Sequence, residues 1–268
     1  MKKSKFFVCC YILILGVFII SGAALTVRLV QLRSGNDFYV QVQMEETSYL
    51  RMPDKSAVTP DIVIAAPDLP EEREDKSALN LQKKDVRSLQ LARFVKKYTG
   101  TVFWLQLPGT ALDYPVMRGT DNQYYLNHLP DGSKNALGSL FLDCRTNEDS
   151  VHLIIYGHNG SGGKMFGMLR QYESRDFFLE HPVLTVVTAD AVYECPIFSV
   201  RRAAADSDAY QLEFADGNGL GDYIYQAAAQ SLYPIDPDVD MEDAKRVLTL
   251  STCTGWRAQR LIVQALWM

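Results

Sequence analysis

Cys253 closes the run Thr249-Leu250-Ser251-Thr252-Cys253, where strand alternation puts Thr249, Ser251 and Cys253 on one face and Leu248, Leu250 and Thr252 on the other. Six residues, Thr254 to Gln259, separate it from a second apolar run, Arg260-Leu261-Ile262-Val263-Gln264-Ala265. If the two runs form an antiparallel hairpin, Cys253 and Arg260 face each other across its mouth, with Cβ atoms about 5 Å apart. A guanidinium beside a thiol favours the thiolate and can donate hydrogen bonds to an oxyanion. A third residue, His158, ends the apolar run Leu153-Ile154-Ile155-Tyr156-Gly157, next to glycines that let backbone or substrate come close. Near a thiol, an imidazole can shuttle a proton at neutral pH. The spacing alone also fits plainer roles: a buried cysteine at a strand end, an arginine on a rim and a loop histidine. The other histidines, His128, His152 and His181, have no comparable setting.

The elements needed to hold these residues are mostly strands. Short β-like runs are expected at Val102 to Leu107, Tyr114 to Met117, Ser139 to Leu142, His152 to Tyr156, Val183 to Thr188, Ala191 to Arg201, Arg246 to Cys253 and Leu261 to Trp267. Pro108-Gly109, Asp131-Gly132 and Gly160 to Gly163 separate some of them. So many closely spaced strands suggest an all-β barrel or sandwich. Two segments have helical spacing instead. Leu91, Phe94, Val95 and Tyr98 form a buried stripe ahead of the strands, with Gly100 as a C-cap candidate; Leu220, Tyr223, Ile224, Ala227 and Ala228 precede the penultimate strand.

The chain has 268 residues, 47% hydrophobic and 22% charged, which supports a packed core and excludes wholesale disorder. Its formal charge of −5 combines +4 from Lys2, Lys3, Lys5 and Arg28 with −9 from everything after them. An acidic body argues against nucleic-acid binding. Between Lys5 and Arg28, Phe6 to Val27 carry no charge, and 22 residues at the helical rise cover roughly 33 Å, enough to cross a bilayer core. The lysines ahead of it place residues 1–5 in the cytoplasm, 6–27 in the membrane as a single anchor, and the rest outside. A cleaved signal peptide is the competing reading, since Ser21 to Ala24 resemble a processing site. Residues 28–80 read as a stalk. Pro53, Pro60, Pro67 and Pro70 and the charged run Glu71 to Lys76 favour an extended spacer, with a short helix near Phe38 to Leu50 as an option. Residues 81–268 form the working domain. Of the five cysteines, Cys9 and Cys10 fall in the anchor, leaving Cys144, Cys195 and Cys253 outside. An odd number leaves at least one thiol unpaired. No CxxC or Cys/His ligand pair exists, so neither a metal site nor any other cofactor is expected.

The motifs resemble those of the sortases, the cysteine transpeptidases of Gram-positive cell surfaces. Thr249-Leu250-Ser251-Thr252-Cys253 is similar to their TLxTC signature, Tyr156-Gly157-His158 to their histidine strand, and Arg260-Leu261-Ile262-Val263 to their arginine-bearing last strand. The order His, Cys, Arg also matches, whereas papain-like peptidases place Cys before His. Further similarity runs from about Leu89 to the C-terminus, through Pro108-Gly109-Thr110, Asp113-Tyr114-Pro115-Val116, Asp121-Asn122, Gly138 to Asp143 and Met165-Phe166-Gly167. A helix between strands 6 and 7 followed by Ser231-Leu232-Tyr233, together with the helix before the barrel and the anchor, resembles class B. The resemblance implies an eight-stranded barrel. It also implies His158, Cys253 and Arg260 as catalytic residues, and Asn122, Leu126, Ser251, Thr252 and Thr254 as substrate-binding ones. The implied partners are a C-terminal sorting-signal peptide of Asn-Pro-x-Thr type and an amine of a peptidoglycan precursor or cross-bridge.

Three rivals fit some of these residues. An L,D-transpeptidase would carry a Ser-x-Gly-Cys motif, which is absent. A pilin-polymerising sortase would share the chemistry but use a pilin lysine as nucleophile. An anchored, non-catalytic binding module would keep the barrel and form no thioester.

Overall fold

The computed structural model describes residues 2–50, 76–215, 218–236, 239–253 and 259–268, with backbone alone at 2–10, 12, 45–50, 76–86 and 253. Two helices precede the strands: α1 (Lys2–Leu50) and α2 (Lys76–Lys97). The strands are β1 (Thr101–Gln106), β2 (Asp113–Arg118), β3 (Leu140–Leu142), β4 (His152–His158), β5 (Val183–Val187), β6 (Val192–Ala204), β7 (Arg246–Cys253) and β8 (Gln259–Trp267). They close into an eight-stranded barrel in the order β1-β2-β3-β4-β7-β8-β6-β5. Closure leaves no exposed sheet edge. The pairs β2–β3 and β4–β7 are parallel and the other six antiparallel. A parallel pair needs a long crossover, and the one from β4 to β7 contains β5, β6, a short α3 (Arg175–Glu180) and α4 (Gly219–Ala229).

Alternation along the central strands assigns their faces. Leu153 and Ile155 of β4, Leu248 and Leu250 of β7, and Leu261, Val263 and Ala265 of β8 fill the barrel interior. The outer face is covered as well. Tyr223, Ile224 and Ala227 of α4 pack on Phe198, Val247 and Leu266, while Ala209 and Tyr210 pack with Ile154, Tyr156 and Ile262. Strands buried on both faces read as near-continuous apolar runs, as β4 does. The expected helix before strand 7 is α4. The stripe at Leu91 is the C-terminal half of α2, packed on Trp104 and Val187.

The start of the expected spacer is different. Residues 28–50 continue α1 without a break, because the first helix-stopping proline is Pro53. The helix is long and apolar enough to cross a membrane, and its large apolar side chains are exposed at Tyr11 and from Leu13 to Val30. Beyond that it lies on the barrel. Leu32 packs on the core, Tyr39 and Val42 are buried, and the Tyr39 hydroxyl donates to the Gly138 carbonyl at 2.9 Å. Asn135 Nδ2 donates to the Gln31 carbonyl at 2.6 Å, and Gln43 Nε2 donates to the Asp113 carbonyl at 2.7 Å. Gly35 permits this approach, since a Cβ there would lie 2.7 Å from Asn135 Oδ1. Residues 51–75, with Pro53, Pro60, Pro67 and Pro70, lie outside the described residues.

Candidate active site

The strand order β4-β7-β8 brings the three candidate residues to neighbouring strands. In the parallel β4–β7 pair, His158 lies in register with Cys253, and Tyr156 with Ser251. Adjacent strands are about 4.8 Å apart, so the backbones of His158 and Cys253 are direct neighbours. In the antiparallel β7–β8 pair, Ser251 is opposite Ile262. Two residues before Ile262, Arg260 pairs on its other side with Ala203 of β6, so β8 brings it to the end of β7 that carries Cys253. Alternation aims His158 and Arg260 at the outer face of the barrel, the face that carries Tyr156, Ser251 and Ile262 one step below. The row is therefore histidine, cysteine, arginine on three consecutive strands.

Local packing fixes each flank. Gly157 sits where any Cβ would come within 2.5 Å of Leu140 and 2.8 Å of Phe166, so only glycine lets β4 run straight to His158. His158 Nε2 is 2.6 Å from the Leu126 carbonyl oxygen. A carbonyl only accepts, so Nε2 carries the proton and Nδ1 is left for exchange. Arg260 is partly exposed, with its Cζ 5.9 Å from the Tyr156 ring centre and 5.6 Å from that of Tyr210. Beneath this row Tyr210 and Ser251 share a hydroxyl hydrogen bond of 2.8 Å, and Tyr156 donates to Asp143 Oδ2 at 2.8 Å. Burial alone would raise the Asp143 carboxyl. The bonds from Arg145, through its side chain and its backbone N–H, and from Tyr156 more than offset it, holding the group at about 2.

The residues expected to touch substrate divide into groups. Asn122 is half-buried and its Oδ1 accepts the Cys144 N–H at 2.8 Å; Leu126 is half-buried beside His158. Ser251 is buried under Tyr210. Thr252 faces inward, buried, its hydroxyl accepting from the Leu261 N–H at 3.3 Å, so the structure does not bring it to the outer face. Thr254 and the rest of 254–258 lie outside the described residues. Cys144 and Cys195, whose pairing the sequence leaves open, are separate free thiols, and burial pushes that of Cys195 up to about 12. Tyr210 and Arg145 carried no signal in the sequence and Asp143 only as the end of a motif: each sits in a connecting segment, and their contacts appear only when strands distant in sequence converge.

A polar pocket of about 600 Å³ lies on the other side of Tyr210, lined by Arg145, Thr146, Ser150, His152 and the segment from Gln211 to Glu213. It is at the opposite end of β4 from His158, roughly 20 Å along the strand. His152 at its floor is buried, bonded to the Gln211 carbonyl at 2.6 Å and Thr249 Oγ1 at 2.7 Å. Burial lowers its pKa to about 4, the Gln211 bond opposing only part of that. The unfolded chain, near the ordinary 6.5, binds the proton more readily. Stability from this group is therefore full above pH 6.5 and lost as pH falls through 4, about 3 kcal/mol in all. Urea unfolding at pH 7, 5.5 and 4 is expected to show this loss, and His152→Gln to flatten it. An unchanged slope in the variant would assign the pH dependence elsewhere.

The chain is similar to known proteins over the barrel. A sortase domain model matches residues 105–267. Sortase B of Listeria monocytogenes is 34% identical over 168 residues, covering 61% of this chain and 68% of that protein. Sortase B of Staphylococcus aureus is 28% identical over 154 residues, 57% of this chain and 62% of that protein. Among solved structures, a Staphylococcus aureus sortase B–substrate complex aligns with a TM-score of 0.64 at 25% identity, over 72% of this chain and 90% of its own. The Listeria monocytogenes sortase B structure aligns with a TM-score of 0.57 at 35% identity, over 65% and 99%. With the family model spanning nearly the whole barrel and the row on β4, β7 and β8 inside it, the chain belongs to the sortase family, and the relatives it matches are sortases B.

Proposed function

We propose that this protein is a membrane-anchored class B sortase that cleaves an Asn-Pro-x-Thr type sorting signal after Thr and transfers the acyl group to a peptidoglycan amine. The observation that carries this reading is the in-register placement of His158 and Cys253, with Arg260 on the next strand, β8. The Cys253 thiolate attacks the threonine carbonyl carbon. As the C–S bond forms and the C–N bond breaks, His158 gives its Nδ1 proton to the departing amine. The incoming amine then attacks the thioester, His158 takes its proton, and the thiolate is released. Arg260 donates hydrogen bonds to the oxyanion formed in each half-reaction. Leu126 serves through its carbonyl, which holds the imidazole in the tautomer this exchange needs. Asn122 and Thr254 complete the proposed substrate-binding set, while buried Ser251 and inward-facing Thr252 shape the strand that carries Cys253 rather than contact the peptide.

That one aligned relative was solved as a sortase B–substrate complex supports a peptide substrate. The exposed apolar stretch of α1 supports the anchor, with residues 1–5 cytoplasmic and the barrel outside. Because α1 runs unbroken from that stretch onto the barrel, the catalytic domain is held close to the membrane surface rather than on a free stalk. The test is incubation of the full chain with a quenched Asn-Pro-x-Thr peptide and an oligoglycine amine. Transfer product with the mass of the joined peptides is expected. Cleavage that joins only a pilin lysine peptide would instead indicate polymerisation, and no adduct at all would indicate a binding module.

A further inference from the structure

Arg260 is held in an unusual way for a buried-edge cation. Its guanidinium lies over two aromatic rings, Tyr156 and Tyr210, themselves nearly parallel at 16° with centroids 6.2 Å apart. Among the described residues no carboxylate pairs with it, although the other cations of this region, Arg145, Arg201 and Arg202, each do. The difference is chemical. A carboxylate occupies the in-plane N–H fork, whereas an aromatic face attracts the cation through its π cloud and leaves the edge donors unspent. Both rings are fixed from behind. The Tyr156 hydroxyl donates to fully buried Asp143, which also receives Arg145 Nε at 3.0 Å and Nη2 at 2.7 Å. The Tyr210 hydroxyl is bonded to Ser251, and its turn begins at Asp208, the 3.0 Å partner of buried Arg201.

We propose that Tyr156 and Tyr210 are positioning residues that seat the Arg260 guanidinium by its face beside Cys253, keeping its N–H donors free for the substrate oxyanion. Asp143, through the Tyr156 hydroxyl, fixes that seat. This rests on the role given to Arg260 above and deepens it: the arginine is effective because its support consumes none of its hydrogen bonds.

The test is a double-mutant cycle on peptide cleavage by the full chain. Tyr210→Leu removes the ring and is expected to lower kcat about 10-fold with little change in KM. In an Arg260→Ala background the same substitution is expected to cost less than about 2-fold. Tyr210→Phe keeps the ring, loses only the Ser251 bond, and is expected to recover most of the loss. Tyr156→Phe keeps its ring but frees it from Asp143, with an expected loss of about 3-fold that again vanishes without Arg260. Equal losses in both backgrounds, or a Phe variant as slow as Leu, would overturn the proposal and leave these tyrosines as packing alone. Failure of the catalytic reading itself is distinguishable, because cleavage would then survive Cys253→Ala.

Discussion

Cys253→Ala is expected to abolish acyl transfer, lowering kcat/KM for a sorting peptide by at least about 10⁴-fold. The size follows from the kind of step removed. With no thiol there is no thioester, and the two half-reactions collapse into one direct displacement by a weak amine or water. Binding and oxyanion donors remain, so the peptide is expected to bind with an affinity close to that of the native enzyme. Cys253 is the last residue of β7, so its ladder contacts to β4 are made by backbone and survive the substitution. Two measurements separate loss of chemistry from loss of fold: an unchanged melting temperature, and intact-protein mass after incubation with a thiol-reactive sorting-peptide analogue. The native chain is expected to gain one adduct and the alanine variant none. Turnover at the native rate in the variant would remove Cys253 as nucleophile.

Arg260→Lys is the second large effect, with an expected loss of about 10²-fold in kcat and a small change in KM. The substitution keeps the positive charge, so any role as a general electrostatic attractor would survive it. What it removes is geometry. Arginine presents several N–H donors from a rigid plane, and its Cζ lies 5.9 and 5.6 Å from the Tyr156 and Tyr210 ring centres. A lysine ammonium is a compact point charge with freely rotating donors, and its length does not reproduce the fork. A loss seen mainly in kcat marks an interaction made in the transition state, whereas a loss confined to KM marks ground-state peptide binding. Native rates in Arg260→Lys would exclude the oxyanion role.

The elements that carry the site were legible one by one. Every strand expected from alternation is present within a few residues of its observed ends, and Arg246–Cys253 ends at the nucleophile candidate as read. This works because side-chain alternation is a local property: Leu248, Leu250, Leu261 and Val263 announce the barrel interior whatever they pack against. The β7–β8 hairpin is also local, with six residues between Cys253 and Arg260. The spacer shows the opposite case. Residues 28–50, read as part of the spacer from their sequence, belong to a helix whose buried face is decided by Asn135, Gly138 and Asp113, 70 to 104 residues away.

The sequence by itself determined which side chains are candidates for chemistry and the strands that carry them, because residue type and a period of two are written in every short window. It also carried the family, through the motifs ending at His158, Cys253 and beginning at Arg260. Only the tertiary structure decided their adjacency. The parallel β4–β7 pair that sets His158 beside Cys253 joins segments 95 residues apart, through a crossover whose course no local pattern specifies. It alone also placed the Leu126 carbonyl on the imidazole and the Tyr210 ring under Arg260. Those contacts arise because a closed barrel must bury both faces of its central strands, and whichever connecting segment covers the outer face becomes part of the site.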